Sequence, residues 1–528
     1  MKGMTLSAIA DSCNGIYFGP EDNKYDTVKD VVIDSRKVNK GSLFIAIKGE
    51  RSDGHDYIEA VYESGALCCI TEKNLESENH SYIKVESSLQ AIKDIAEYYR
   101  SVLDVKVIGI TGSVGKTSTK ETIAAVISRK FRVLKTLGNF NNEIGLPLTI
   151  FRLTSEDEVA VLEMGISDFG EMTRLSKIAK PDICVITNIG LCHLENLKSR
   201  DGILEAKTEI FKSMATDGSV ILNGDDDKLV TIHNVNGKAP YFFGIDNKCE
   251  YFADSIENLG LDGMKATIHC GEKESFDVVI PIPGHHMVYN ALAATVVGKV
   301  FGLSKEEIRD GIESLESLSG RNHIIKKNGF IIIDDCYNAN PVSMKASIDV
   351  INTAIGRKVC ILGDMFELGV NERTLHYEIG EYLATKEIDV LITVGSLAKE
   401  ISDAVKKINE LNWNTTNKSE ANGTNKSKAN GTNELESNGM NESEVNGTNE
   451  PEANGMNEPD WNLNGSNISK ESKESKELGR SNRCQVRHFE TRDDMLLELN
   501  NLVHTGDTIL VKASHGMEFS KIVEYLAI

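Results

Sequence analysis

The sequence predicts an α/β protein of three domains, and three observations lead there. From Val105 onward, short apolar runs alternate with segments of helical period. That alternation is the mark of a parallel sheet with helices on both faces. A second alternating block begins near Gly320, and a smaller unit of short apolar runs with polar breaks precedes Val105. The expected domains are residues 1–104, 105–319 and 320–528, the last interrupted at about 412–482.

Composition narrows the class. The 528 residues are 40% hydrophobic and 26% charged, which is ordinary for a globular chain of several domains. A net charge of −22 argues against non-specific binding to nucleic acid or to anionic membranes. The ten cysteines include no Cys-x-x-Cys pair. Cys68 and Cys69 fall in an apolar run that reads as a buried strand, so free thiols in a reducing compartment are expected. The first residues lack the apolar core of a signal peptide, and no apolar run is long enough to span a bilayer. A cytoplasmic, monomeric protein is expected.

In the first unit, Asp34-Ser35-Arg36 precedes a turn at Lys40-Gly41 and a strand over Leu43–Ile47. A loop follows through His55. Taken singly, Arg36 reads as a solvated arginine and His55 as a loop histidine.

The central unit starts with a buried strand, Val105–Ile110. Gly112-Ser113-Val114-Gly115-Lys116-Thr117-Ser118 then leads into a helix with Ile123, Val126 and Ile127 on one face. Ile110 stands where the strict phosphate-loop pattern has its first glycine. The Gly-Lys-Thr-Ser run directly after a strand still marks a nucleotide-phosphate site. Glycines let backbone N–H groups approach phosphate, the helix N-terminus favours negative charge, and Lys116 can reach the terminal phosphates. Thr117 would place its hydroxyl on a magnesium ion.

Further strands are expected at Val159–Met164, Ile183–Thr187 and Val220–Leu222, with a helix over Gly202–Met214. In such sheets ligands bind outside the carboxyl ends of the strands. The glycine loop, Glu163, the stretch Asn188–His193 and Asn223–Asp227 all fall at such ends. Glu163 can complete the shell of a metal held by Thr117. Taken alone, His193 reads as structural and Lys207 as an exposed helix lysine.

Residues 240–283 read as short strands, and a helix opens near Gly284. The third unit carries strands at Phe330–Asp334, Lys358–Leu362, Val390–Val394, Gln485–Phe489 and Thr508–Val511. It is interrupted from Ser419 by octads such as Ser-Glu-Ala-Asn-Gly-Thr-Asn-Lys. Asn-Gly pairs favour turns, and so polar a stretch has little apolar surface to offset chain ordering, so disorder is expected over about 412–482. The stretch holds twelve acidic and seven basic residues, so most of the acidity belongs to the rest of the chain.

These marks, in this order, resemble the Mur ligases of peptidoglycan synthesis. The resemblance rests on Asp34-Ser35-Arg36, Ser52-Asp53-Gly54-His55, Gly112–Thr117, Gly138–Gly145 and Glu163-Met164-Gly165. It continues through Thr187–Gly190, Ala206–Ile210, Asp334–Pro341 and Leu362–Gly369, and covers nearly the whole chain outside the octads. Tyr337-Asn338-Ala339-Asn340-Pro341 resembles the branch that adds a dipeptide.

The resemblance implies a central P-loop ATPase domain, a Rossmann-like C-terminal domain and a smaller N-terminal domain for a UDP-sugar. It implies ATP-driven joining of D-alanyl-D-alanine to UDP-N-acetylmuramoyl-tripeptide through an acyl phosphate, with ATP and Mg2+ as cofactors. Ser35 and Arg36 would hold the nucleotide end of the substrate, and Asn139, Asn141 and Asn142 the peptide arm. Gly112 to Ser118, with Asn290, Arg321, Asp335 and Asn338, would bind ATP. Thr117 and Glu163 would hold one magnesium. His193 and Lys207 would serve a second, Lys207 as a carbamate, which supplies the oxygen ligands that magnesium prefers. Lys116, His193 and Lys207 would carry the chemistry. Two departures stand out. Met287 occupies a usual Asn position, and Ala513-Ser514-His515 follows Lys512 where Gly-Ser-Arg is common.

Other readings are a folylpolyglutamate-type ligase, a non-catalytic ATP-binding module and a kinase-like P-loop enzyme. The first unit argues against the ligase of folate type. The presence of Glu163, His193 and Lys207 argues against the inert module.

The octads give a first prediction. Insertions between a helix and a strand are tolerated when they carry no core. Replacing residues 414–480 by a short Gly/Ser linker should leave turnover within a few-fold and the thermal midpoint nearly unchanged. A collapse of either quantity would show that the octads pack or bind something essential.

Overall fold

The computed structural model describes residues 1–76, 80–247, 249–423 and 484–528, without the side chains of 413–423. Met1–Ile408 with Cys484–Ile528 forms one compact unit, and Asn409–Arg483 a second. Of the second, only the helical backbone up to Gly423 is described.

The first unit holds three sheets. In the N-terminal domain, Asp30–Val32, Ser42–Ile45, Cys68–Thr71 and Ser81–Lys84 run parallel, and Ile16–Phe18 pairs antiparallel on the outer edge. The central sheet has nine strands. Its parallel part runs Val133–Lys135, Val159–Glu163, Lys106–Thr111, Ile183–Ile186, Ser219–Asn223, Tyr241–Gly244 and Tyr251–Asn258. Met264–Cys270 and Glu274–Ile280 extend it antiparallel. The C-terminal sheet has six strands, with Phe330–Asp334, Thr508–Lys512, Lys358–Gly363, Val390–Val394 and Gln485–Phe489 parallel and His323–Lys327 antiparallel at the edge.

Side-chain alternation explains the central layers. Successive strand residues point to opposite faces. Val159 and Val161 enter one core, and Ala160 and Leu162 the other. The core holding Ala160 and Leu162 continues into the N-terminal domain through Ile92, Ile95 and Tyr99 of the helix Ser88–Ser101. The opposite core receives Ile123, Val126 and Ile127 from the helix Lys116–Ile127, the face expected from the sequence.

The strands expected individually formed, with ends moved by one or two residues, whereas 240–283, expected as short strands, holds Tyr251–Asn258, Met264–Cys270 and Glu274–Ile280, each of seven or eight residues. Further differences have physical causes. Val133–Lys135 escaped notice because three residues carry almost no periodic signal. The expected helix Gly202–Met214 begins earlier, at Arg200, because Ser199 caps it by accepting from Gly202 N–H at 3.1 Å, and it tightens into a 3-10 turn over Glu209–Ser213. The helix Lys399–Gly423 runs into the stretch expected to be disordered, since extending a nucleated helix costs little per residue. The octads beyond Gly423 lie outside the described residues.

The helix that follows the glycine loop is fixed by close approach. In the helix Lys305–Glu313, a Cβ added at Gly311 would lie 2.5 Å from Val126 Cα, and backbone cannot yield as a flexible side chain can. Gly311→Ala should therefore lower the stability of the protein by about 1–3 kcal/mol through overpacking. Alanine is the better helix former by roughly 1 kcal/mol, so helix propensity alone gives the opposite sign. Denaturant unfolding decides between them, and an equal or higher midpoint refutes the close-packing account.

Candidate active site

The strand Lys106–Thr111 delivers the chain into Gly112, whose φ is +149°. A Cβ there would sit 1.9 Å from Thr187 Oγ1, so only glycine fits. Gly115, at φ +82°, turns the chain into the helix Lys116–Ile127. The loop is tied to the end of the neighbouring strand. Val114 N–H donates to Asn188 Oδ1 at 3.0 Å, and Val114 carbonyl accepts from Thr187 Oγ1 at 2.6 Å and Asn188 Nδ2 at 3.1 Å. Ser113 Oγ donates to Gly190 carbonyl at 3.0 Å and accepts from Gly190 N–H at 2.9 Å. Lys116 folds back and donates to Gly112 carbonyl at 2.8 Å. A helix N-terminus with an ammonium beside it is an anion site.

Glu163, at the end of the next strand, is 2% exposed. Its Oε1 accepts from Asn141 Nδ2 at 2.8 Å, while its Oε2 is buried with no hydrogen-bond partner. Lys120 Nζ stands 3.8 Å from that oxygen and donates to Thr136 carbonyl at 2.8 Å. An unpartnered buried carboxylate oxygen is costly unless something else takes it up. Thr117 Oγ1 accepts from Arg321 of the C-terminal domain at 3.2 Å.

On the other side of the loop lie His193 and Lys207. Lys207 is 1% exposed and has no carboxylate partner among the described residues, which corrects the reading of an exposed helix lysine. Burial, with the charge of Lys116 adding to it, pulls its ammonium down to about 8. His193 has φ +49°, and its Nδ1 lies 2.7 Å from Glu367 Oε2. Burial holds this imidazole below the ordinary histidine range, against the pull of Glu367.

The C-terminal residues are engaged in structure as well. Arg321 stacks over the Tyr337 ring at 4.0 Å. Asp335 Oδ2 pairs with the buried Lys512 at 2.5 Å, and Asn322 N–H donates to its Oδ1 at 3.2 Å. Asn338 Oδ1 accepts from Ala339 N–H at 2.9 Å. Asn290 is buried. Its Oδ1 accepts from Thr119 at 2.8 Å, and its Nδ2 points to Met287 Sδ at 3.2 Å. The departure at Met287 thus puts a weak sulfur acceptor against that amide. In the other departure, Ser514 Oγ accepts from Phe366 N–H at 2.8 Å and His515 lies beside Tyr337 at 5.7 Å between ring centroids.

Arg36 stays within its own turn, on Asp34 at 2.9 Å, and is exposed beside Ser35. His55 is no loose loop residue. It is buried, with Nδ1 on Asp53 Oδ1 at 2.6 Å and Nε2 accepting from Glu72 N–H at 3.1 Å. Asn142 Oδ1 accepts from Gly145 N–H at 2.8 Å, just ahead of the helix Gly145–Ile150, whereas Asn139 is exposed. Of the candidate residues, the structure brings together the loop Gly112–Thr117, Glu163 with Asn141, and Arg321. Sequence reasoning passed over Lys120 and Thr136 and gave Glu367 no role, although Glu367 falls in the stretch Leu362–Gly369 that carries the resemblance. Lys120 had a signal, one helical turn after Lys116, while Thr136 had none.

Comparison with known proteins places the fold and the family. The Mur ligase family catalytic domain matches residues 27–100, the Mur ligase middle domain 110–298, and the Mur ligase glutamate ligase domain 320–427. The UDP-N-acetylmuramoyl-tripeptide–D-alanyl-D-alanine ligase of Bacillus subtilis is 39% identical over 408 residues, covering 76% of this chain and 88% of the relative. A crystal structure of MurF from Acinetobacter baumannii superposes with a TM-score of 0.77 at 27% identity, covering 99% of this chain and 98% of that one. MurF of Thermotoga maritima in complex with ADP gives 0.71 at 26% identity, over 94% and 96% of the two chains. With family models lying on all three of its domains, and a relative that it spans for most of its length, this chain belongs to the Mur ligase family.

Proposed function

We propose that this protein joins D-alanyl-D-alanine to UDP-N-acetylmuramoyl-tripeptide, coupled to cleavage of ATP to ADP and phosphate, forming the UDP-muramoyl-pentapeptide. The relatives' activity supplies the substrates. The observation in this chain that carries the chemistry is Lys207, a buried ammonium without a carboxylate partner, lowered toward neutrality beside a phosphate loop. Ser35 and Arg36 hold the UDP end, and Asn139, Asn141 and Asn142 the peptide arm. The reading places the enzyme in the cytoplasm as a monomer, and no helix among the described residues is long and apolar enough to cross a membrane.

A carboxylate is a poor electrophile. Its oxygen attacks the γ-phosphorus of ATP, ADP departs, and an acyl phosphate remains. The dipeptide amine then attacks the carbonyl carbon, loses a proton, and phosphate leaves. The loop Gly112–Ser118 holds the phosphates through the backbone N–H groups that open the helix Lys116–Ile127 and through the Lys116 ammonium, which take up charge as it moves. Arg321 reaches the same phosphates from the C-terminal domain, while Asn290, Asp335 and Asn338 serve the nucleoside. Enclosure between domains keeps water from the acyl phosphate.

The residues fit magnesium. Glu163 Oε2 is a buried oxygen without a hydrogen-bond partner, and Thr117 adds a hydroxyl. Magnesium takes one or two carboxylates and fills its shell with phosphate and water. Thr117 and Glu163 would hold one ion and His193 and Lys207 a second. An ammonium cannot ligate a cation. The neutral Lys207 amine attacks carbon dioxide, forms an N–C bond and releases a proton, leaving an oxygen anion. Magnesium bound there neutralises charge during phosphoryl transfer and in the tetrahedral adduct.

Two tests follow. Oxygen-18 in the tripeptide carboxylate should appear in released phosphate, and label remaining wholly in the peptide refutes the acyl phosphate. Lys207→Ala should lower turnover by a hundredfold or more while ATP binding persists, and short carboxylates should restore part of the loss. Near-normal turnover of Lys207→Ala in carbon-dioxide-free buffer refutes the carbamate.

A further inference from the structure

His193 and Glu367 face each other from two domains, 2.7 Å apart, and both are non-glycine residues at positive φ, +49° and +61°. Neither conformation is favoured by its own side chain, so each is held by its surroundings. Around Glu367 the holding is visible. Met365 N–H donates to His376 Nε2 at 2.8 Å, Phe366 N–H donates to Ser514 Oγ at 2.8 Å, and Met365 and Leu368 are buried in the C-terminal core. Glu367 therefore moves with its domain. On the other side, Leu191 of the central domain packs against that same C-terminal core, two residues before His193. The carboxylate meets the imidazole where the domains already touch.

An ionised carboxylate only accepts hydrogen bonds, so the proton of this contact belongs to Nδ1. In a neutral imidazole the lone pair then resides on Nε2. We propose that Glu367 is a positioning residue for the metal site, fixing His193 in the tautomer whose Nε2 is free to ligate, so that the C-terminal domain completes a site carried by the central one. This rests on the reading of His193 as a magnesium ligand. A carboxylate on the far nitrogen of a ligating histidine orients the ring and raises its basicity. Opening of the domains withdraws Glu367 and leaves the imidazole free to exchange tautomers. Metal affinity and domain closure are thereby coupled, and the second ion is held tightly only when the site is shut.

The test uses the full chain with two variants. Glu367→Gly removes the carboxylate at a backbone conformation that suits glycine, so folding is preserved. Glu367→Gln keeps an acceptor and loses the charge. Long-range proton–nitrogen NMR on 15N-histidine protein, with His193→Gln to identify the signal, reads the tautomer without metal or turnover. Electron paramagnetic resonance of Mn2+ with a non-hydrolysable ATP analogue counts and weighs the metal sites. The wild type should carry its proton on Nδ1 and bind two Mn2+. Glu367→Gly should populate the other tautomer and weaken the second Mn2+ tenfold or more, with Glu367→Gln between. Unchanged tautomer and unchanged Mn2+ affinity in Glu367→Gly overturn the proposal. A wild type with the Nδ1 tautomer but one Mn2+ site overturns the metal assignment itself, and with it the role of Glu367.

Discussion

The pairing of Lys106–Thr111 with Ile183–Ile186 in parallel register carries the site. It places Thr111 opposite Ile186 and so brings Gly112–Val114 against Thr187–Gly190. Three hydrogen bonds then set the loop, Val114 N–H donating to Asn188 Oδ1 and Val114 carbonyl accepting from Thr187 and Asn188 side chains. They fix the path of the chain into the helix Lys116–Ile127, whose N-terminus favours an anion. Glu163 falls on one side of this loop because its strand pairs with Lys106–Thr111 on the opposite edge. His193 follows on the other side because it continues from Ile183–Ile186. A slip of one residue in either ladder would turn these side chains to the wrong face.

The site gathers positive charge into a buried place. Lys120 and Lys207 are both 1% exposed, and Lys116 lies near enough to depress Lys207. Lys120 finds Glu121 and Glu163 and a carbonyl. Lys207 finds no such carboxylate among the described residues. Burying like charges together is unfavourable in the empty protein and is offset when a polyanion enters. The low dielectric that makes the empty site costly strengthens every contact to a developing negative charge.

The C-terminal domain reaches into this region through Arg321 and Glu367. Arg321 joins the Tyr337 ring to Thr117, and Glu367 meets His193. These contacts tie the C-terminal domain to the glycine loop and to His193. Asp335 and Lys512 hold each other within the C-terminal domain as a buried pair.

By itself, the sequence determined the alternating α/β pattern, most strands of the parallel sheets, the glycine loop, the positions of Glu163 and His193 after strands and that of Lys207 on a helix; the long strands over 251–280 read only as short ones. Those follow from local period and from the rule that ligands sit at carboxyl ends, both readable along one chain. Only the tertiary structure decided burial and partnership. Lys207 looks like a surface lysine in its helix, and the fold buries it. His55 looks like a loop residue, and Asp53 with Glu72 makes it structural. Lys120 and Thr136 lie sixteen residues apart in the chain and meet at 2.8 Å. Glu367 meets His193 only through the docking of two domains. Sequence period reports which face of an element is apolar; which distant polar groups share that interior depends on how the sheets are set against each other, and no local pattern encodes that.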